Sequence, residues 1–366
     1  MDELKIIAFY LPQFHAIPEN DKWWGKGFTE WTNVGKAKPL FRGHYQPKVP
    51  ADLGYYDLTN ESVREQQAEL AKEAGVYGFC YWHYWFGKGR RLLERPFNEV
   101  LDSGKPDFPF CLGWANESWQ AKEWSVDKQN IVKSTLMEQL YPGEDDNKLH
   151  FDTMLPAFRD ERYIRVENRP LFMICRPFKF DRVGDFIKQW NNLIKESGVA
   201  DSFYFVGQAN TDDEVDKIKA LGFDAVSVNQ SGRMQRAYLR KPLWVKALKK
   251  MYRKLFKKPL VIPYKDCIKY ILNEKVDNRE DVIPSLLPNW DHSPRSKQNC
   301  TVLHDSTPDL FEQHCDSVLS SVKKKKNQIV FLKSWNEWGE GNYMEPDLRY
   351  GHGYIRALAE SIKKNS

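Results

Sequence analysis

The chain has 366 residues, 41% hydrophobic and 29% charged, a balance that belongs to globular proteins and excludes a disordered one. Its formal net charge of +5 is small for this length and does not call for nucleic acid as a partner. The 13 Trp, 17 Tyr and 21 Phe make 14% of the sequence aromatic, an excess that fits an aromatic-lined cleft or an aromatic-rich core.

The segment 4–10 (LKIIAFY) reads as a core strand at the start of the chain. Its acidic flank lacks the basic region and cleavage site of a signal peptide, so a cytoplasmic location is expected. Apolar runs follow at 76–82, 109–114, 170–175, 203–207, 224–228, 282–287 and 328–332. Segments of helical periodicity separate them at 61–74, 91–102, 145–159, 181–197, 212–221, 233–257, 308–323 and 352–364. Eight continuously apolar strands alternating with eight helices predict parallel βα units with both sheet faces covered. The fold class expected is α/β, a single (β/α)8 TIM barrel over residues 1–366 with long βα loops; a doubly wound sheet is the alternative. No run reaches the roughly 18–20 apolar residues of a membrane span. The six cysteines form no CxxC pair and read as reduced structural thiols, so neither a metal nor a cofactor is expected.

A barrel places its chemistry at the C-terminal ends of the strands. Tyr10, Gln13 and His15 stand there after the first strand, with Glu30 and Trp31 in the long loop beyond. Tyr81 to Trp85 end the second strand. Neighbouring residues of a strand point to opposite faces, so Trp82, Tyr84 and Trp85 cannot all enter one cleft. Trp114, Asn116, Glu117 and Trp119 follow the third strand and Arg176 the fourth. Gln208, Asn229 with Gln230, and Asn289 to Asp291 with Trp290 at the centre follow the next three. His15 and His83 fit either a core or a contact to sugar hydroxyls. Rings, amides and carboxylates together suit a sugar, whose C–H face packs on an indole while its hydroxyls need convergent partners. The phosphate-binding patterns GxxxxGK[ST] and GxGxxG and the serine-nucleophile pattern GxSxG are absent.

The last strand runs into SWNEWGEGNYMEP (334–346). Glu337 and Glu340, two residues apart, can both project into one cleft from a short turn. Glycosidic-bond chemistry uses such a pair, one carboxyl protonated and one ionised. Asn336 and Trp338 flank them.

Four ordered motifs carry a resemblance: FYLPQFH with NDKWWGKGFTEWTNV (within 9–34), FCYWHYWF (79–86), LGWANESW (112–119) and SWNEWGEGNYMEPD (334–347). The chain resembles the WbsX-like family of glycosyltransferases of lipopolysaccharide O-antigen or capsule biosynthesis. More distantly it is similar to glycoside hydrolase family 99, the (β/α)8 endo-α-mannosidases and endo-α-mannanases. That resemblance implies that Glu337 deprotonates the sugar 2-hydroxyl, whose oxygen attacks C1 to give a 1,2-anhydro intermediate with net retention. Glu340 would protonate the leaving oxygen and then activate the acceptor. Sugar contacts are expected from Tyr10, Gln13, His15, Trp31, Tyr81 and His83, and from Trp114, Asn116, Glu117, Trp290, Asn336 and Trp338.

The expected partner is an oligosaccharide or lipid-linked glycan, with no nucleic acid. A basic insertion at 233–258, RMQRAYLRKPLWVKALKKMYRKLFKK, has no counterpart in the hydrolase pattern. It reads either as a surface helix with one packed face or as a basic amphipathic helix in weak contact with anionic lipid at the inner membrane face. Three function classes stand: a retaining glycosidase or transferase, a non-catalytic sugar-binding barrel, and an unrelated barrel enzyme such as an aldolase, for which Lys333 is the one strand-end lysine.

Overall fold

A computed structural model describes residues 4–125, 130–230, 232–234 and 240–365. The eight apolar runs form eight strands: β1 Lys5–Tyr10, β2 Gly78–His83, β3 Phe110–Trp114, β4 Arg169–Ile174, β5 Tyr204–Ala209, β6 Ala225–Val228, β7 Ser285–Leu286 and β8 Ile329–Leu332. They pair in parallel in the order β7-β8-β1-β2-β3-β4-β5-β6. The ends of this sheet meet where Val226 bridges Val282 in parallel and the Ile283 N–H donates to the Val226 carbonyl at 2.9 Å. The result is an α/β barrel. Its strands are buried on both faces, which is why they read as continuous apolar runs rather than as alternation.

Helices Glu61–Glu73, Arg95–Ser103, Glu144–Arg159, Val183–Glu196, Val215–Lys219, Pro308–Val322 and Gly353–Asn365 cover the strands. Their starts follow local chemistry: the Asn60 side chain accepts from the Ser62 N–H, and Thr307 from the Leu310 N–H ahead of Pro308. The amphipathic run predicted at 233–257 yields the helix Leu243–Leu255, opened by Pro242; residues 235–239 of that run lie outside the described residues. All six cysteines are buried and unpaired.

Two strand pairs are among the elements that escaped the sequence reading. Trp119–Ser125 and Asn130–Met137 form an antiparallel hairpin after β3, and Leu260–Pro263 pairs in parallel with Thr301–His304. Strands were sought as continuous apolar runs. The hairpin sequences WQAKEWS and NIVKSTLM intersperse charged and polar residues and so give no such run.

Candidate active site

The segment leaving β8 is pinned before it reaches the cleft. The Ser334 hydroxyl and the Trp335 N–H both donate to the Phe9 carbonyl, at 2.7 and 2.8 Å. The Asn336 side chain accepts from the Leu11 N–H at 2.7 Å and donates to the Leu11 carbonyl at 3.1 Å. Asn336 therefore locks the exit of β8 to that of β1. Asn336–Glu337 then pairs antiparallel with Asn342–Tyr343 around the tight turn Trp338–Glu340. Beneath the turn, Trp338 stacks on Tyr343 with ring centroids 3.7 Å apart and donates to Glu345 at 2.6 Å. This base leaves Glu337 and Glu340 on the cleft side.

One cation joins the carboxylates. Arg295, on the short turn Ser293–Ser296 after β7, donates to Glu337 at 2.7 Å, Glu340 at 2.8 Å and Glu30 at 3.0 Å. Gly339 makes room: a Cβ there would stand 2.9 Å from the Arg295 Nε and closer still to the Glu30 carboxylate. His292 Nε2 lies 3.5 Å from Glu340. The two environments push the pair apart. Burial drives Glu337 up to about 8, against the pull of Arg295. Glu340 is held down to about 2: burial opposes this, but the hydrogen bond from His292 and the Arg295 charge outweigh it. The two carboxyls are thus biased to opposite protonation states, Glu337 toward the acid and Glu340 toward the carboxylate.

The pair opens into a cavity of about 820 Å³. Strand pleating selects its walls. Phe9, Leu11 and Gln13 line it at every second position along the end of β1 and beyond, as do Trp82 and Tyr84 at the end of β2. Trp82 lies flat on Phe9, with centroids 4.7 Å apart, in space that Gly113 vacates, since a Cβ at 113 would sit 3.1 Å from the indole. Gln13 donates to the Tyr84 hydroxyl at 3.2 Å, and Trp119 packs edge-on against Tyr84. On the opposite side Asn116 accepts from the Arg176 N–H at 2.8 Å, and Glu117 pairs with Arg176 at 3.0 Å and Lys179 at 3.1 Å. Those cations outweigh burial and lower Glu117 below its ordinary range.

Of the twelve expected sugar contacts, Gln13, Asn116 and Glu117 line the cavity, and the other nine do not. Tyr10 points outward and donates to Gln67 at 2.6 Å beneath the helix Glu61–Glu73. Tyr81, in register with it, packs on Phe97 and Phe110. His83 shares a 2.7 Å hydrogen bond with His150, and Trp114 donates to the Trp85 carbonyl at 2.9 Å with its ring edge-on to His150. His15 is buried away from the cavity. Trp31 donates to the Tyr56 carbonyl and packs under Trp338. Asn336 and Trp338 brace the turn as described, and Trp290 sits behind Lys333, whose ammonium lies 5.1 Å from its ring. For Tyr10, Tyr81, His83 and Trp114 the reason is the pleat. Position at a strand end gives height in the barrel, but the pleat decides which side is faced.

Sequence reading missed Arg295. Two buried carboxylates require a counter-cation, yet the sequence offers 55 Lys and Arg, and nothing in the spacing of HSPRS singles out this one. Glu30, weighed as loop packing or cleft wall, is neither: it is buried as the third carboxylate on Arg295.

Comparison with known proteins gives concordant findings. Residues 6–358 match the family described as Glycosyltransferase WbsX. The chain is similar to the uncharacterized protein WxcX of Xanthomonas campestris pv. campestris, in strains ATCC 33913 and B100, at 33% identity over 368 residues. That match covers 98% of this chain and 50% of the relative, so the chain spans about half the length of the curated relatives it matches. Among solved structures it is similar to a glycoside hydrolase-like protein, with TM-score 0.62, 14% identity and coverage of 99% and 94% of the two chains. It is also similar to the GH99 endo-alpha-mannosidase of Bacteroides thetaiotaomicron, with TM-score 0.58, 14% identity and coverage of 99% and 97%. At these identities the structures establish likeness of fold.

Proposed function

We propose that this chain, which belongs to the WbsX glycosyltransferase family, is a carbohydrate-active enzyme that acts on a glycosidic bond of a surface polysaccharide, O-antigen or capsule, by a retaining reaction of Glu337 and Glu340. The observation that carries this reading is the pair itself: two carboxylates on one guanidinium, lining a cavity of about 820 Å³ and biased to opposite protonation states.

The steps balance with one shared proton. Glu337 takes the proton of the sugar 2-hydroxyl as O2 bonds to C1, and the bond from C1 to the leaving oxygen breaks as that oxygen takes a proton from Glu340. Water or a sugar hydroxyl then bonds to C1 as the C1–O2 bond breaks, gives its proton to Glu340, and O2 recovers its own from Glu337. The resting distribution, with the proton on Glu337, is that of the intermediate. A 2-hydroxyl donating to Glu337 favours its carboxylate, so substrate binding moves the shared proton to Glu340 for the first step. Arg295 stabilises whichever carboxylate is ionised, and its loss would raise both affinities for protons.

The test is incubation with the polysaccharide repeat of the source cell, following chain length by mass spectrometry and anomeric configuration by NMR. A shortened or extended glycan of retained configuration is expected. An inverted product would overturn the proposed mechanism, and an unchanged product profile in both Glu337→Gln and Glu340→Gln would remove the pair from the chemistry.

A further inference from the structure

The helix Leu243–Leu255 is built inside out. Trp244, Leu248, Met251, Tyr252 and Leu255 recur at the spacing of one helical face, and that face points to solvent: Trp244 is 67% exposed, Met251 62% and Leu255 71%. The positions partly covered by the rest of the protein are Val245, Lys246, Lys249 and Arg253. A surface helix ordinarily does the reverse. Of the twelve large hydrophobics exposed among the described residues, seven lie between Leu243 and Phe256, which makes a patch rather than scattered surface residues.

Charge and position identify what covers the patch. No Asp or Glu stands anywhere between Asp224 and Asp266, whereas Arg240, Lys241, Lys250, Lys257 and Lys258 border the apolar face in sequence. A second copy on this face would oppose basic to basic. The helix leaves the C-terminal end of β6, and Leu260–Pro263 behind it pairs with Thr301–His304, which follows β7. Lys258 ties the same segment to the Leu40 carbonyl at 2.6 Å, in the loop after β1. All these supports are βα loops, so the helix stands at the cleft end of the barrel. No helix among the described residues is long and apolar enough to cross a membrane.

We propose that Leu243–Leu255 is an interfacial anchor that lies on an anionic lipid bilayer, with Trp244, Leu248, Met251 and Leu255 in the acyl boundary and the bordering lysines and arginines on headgroup phosphates. The cleft end of the barrel then faces the membrane. On the reading given under Proposed function, the glycan delivered to Glu337 and Glu340 is one carried on a lipid in that membrane.

The docking step is tested without turnover. The native chain is floated with vesicles of phosphatidylglycerol and phosphatidylethanolamine, and separately with phosphatidylcholine alone. Binding to the anionic vesicles is expected, weakened by salt, with bromine-labelled acyl chains quenching Trp244. A Trp244→Ser/Leu248→Ser/Leu255→Ser variant and a Lys250→Glu/Lys257→Glu variant should each bind about tenfold less or weaker still. These residues are exposed, and unchanged circular dichroism checks that both variants fold. Equal binding to phosphatidylcholine, undiminished binding by the serine variant, or a native dimer that the serine variant dissolves would each overturn the anchor. The glycosidic reading stands or falls separately, on the glycan assay.

Discussion

Trp82 and His83 are neighbours at the end of β2, and they belong to different regions of the molecule. Trp82 faces the cavity with Tyr84, in a wall whose polar atoms stay available to a ligand. His83 faces outward with Trp85 into a buried aromatic layer, where Trp85 lies flat on His150 at 4.5 Å and Trp190 and Phe186 close the packing. Both regions are rich in aromatic rings. What separates them is the pleat, which turns successive side chains to opposite faces. Residues on the cleft face should therefore change activity at constant stability, and those on the outer face stability at constant chemistry.

The largest effect is expected at the head of the cleft. Glu337→Gln and Glu340→Gln should each lower turnover of a glycan by roughly 10²–10⁴-fold, with an unchanged denaturation midpoint. A glycosyl fluoride separates their roles, because fluoride needs little proton donation as it leaves. Glu340→Gln should keep much of its first-step rate on the fluoride, and Glu337→Gln should lose it. The opposite ranking would exchange the roles of acid and base. The pair also sets a pH limit: its shared proton departs near 8, so kcat/KM of the native enzyme should fall as pH rises through that value. A flat profile to pH 10 would mean that no proton on this pair is needed.

Next in size is the contrast between two tryptophans three residues of sequence from Asn116 or fewer. Trp114 is fully enclosed by His150, Phe180 and Phe186, so Trp114→Ala should cost about 3–5 kcal/mol in chemical denaturation. Trp119 lines the cavity, and Trp119→Ala should weaken oligosaccharide binding while leaving the midpoint nearly unchanged. If the two variants exchanged behaviours, the assignment of faces would be wrong.

These contrasts mark what the sequence could convey. Every barrel strand was legible, since burial on both faces leaves an unbroken apolar run such as KIIAFY or IVFL. The segment bearing Glu337 and Glu340 was legible too, because two carboxylates after the last strand stand out by spacing and place. The side each residue faces was not. Tyr10 and Gln13 both follow β1, yet one packs under a helix and the other lines the cavity. Arg295 was illegible for a different reason: it reaches Glu30 across 265 positions of sequence, a pairing set by closure of the barrel and by no local pattern.

The smallest effect is a pH dependence confined to the outer face. Burial holds both His83 and His150 well below the ordinary histidine range, so in the native state their rings stay neutral as the solution is acidified. Unfolded, each binds a proton near its ordinary value of about 6.5. The unfolded chain therefore gains protons that the native one refuses, and stability is lost as pH falls below 6.5. His15 and His314 are depressed in the same sense and His352 in the opposite one, so the total slope does not isolate the pair. The difference between the native chain and His150→Phe does, because the other histidines cancel. That variant should be less stable at pH 7.5, having lost the 2.7 Å bond to His83, yet should lose less stability than the native chain on going to pH 5.5. Equal losses in both chains would mean that His150 takes up a proton while folded, which requires water to reach the layer that sets this face apart from the cleft.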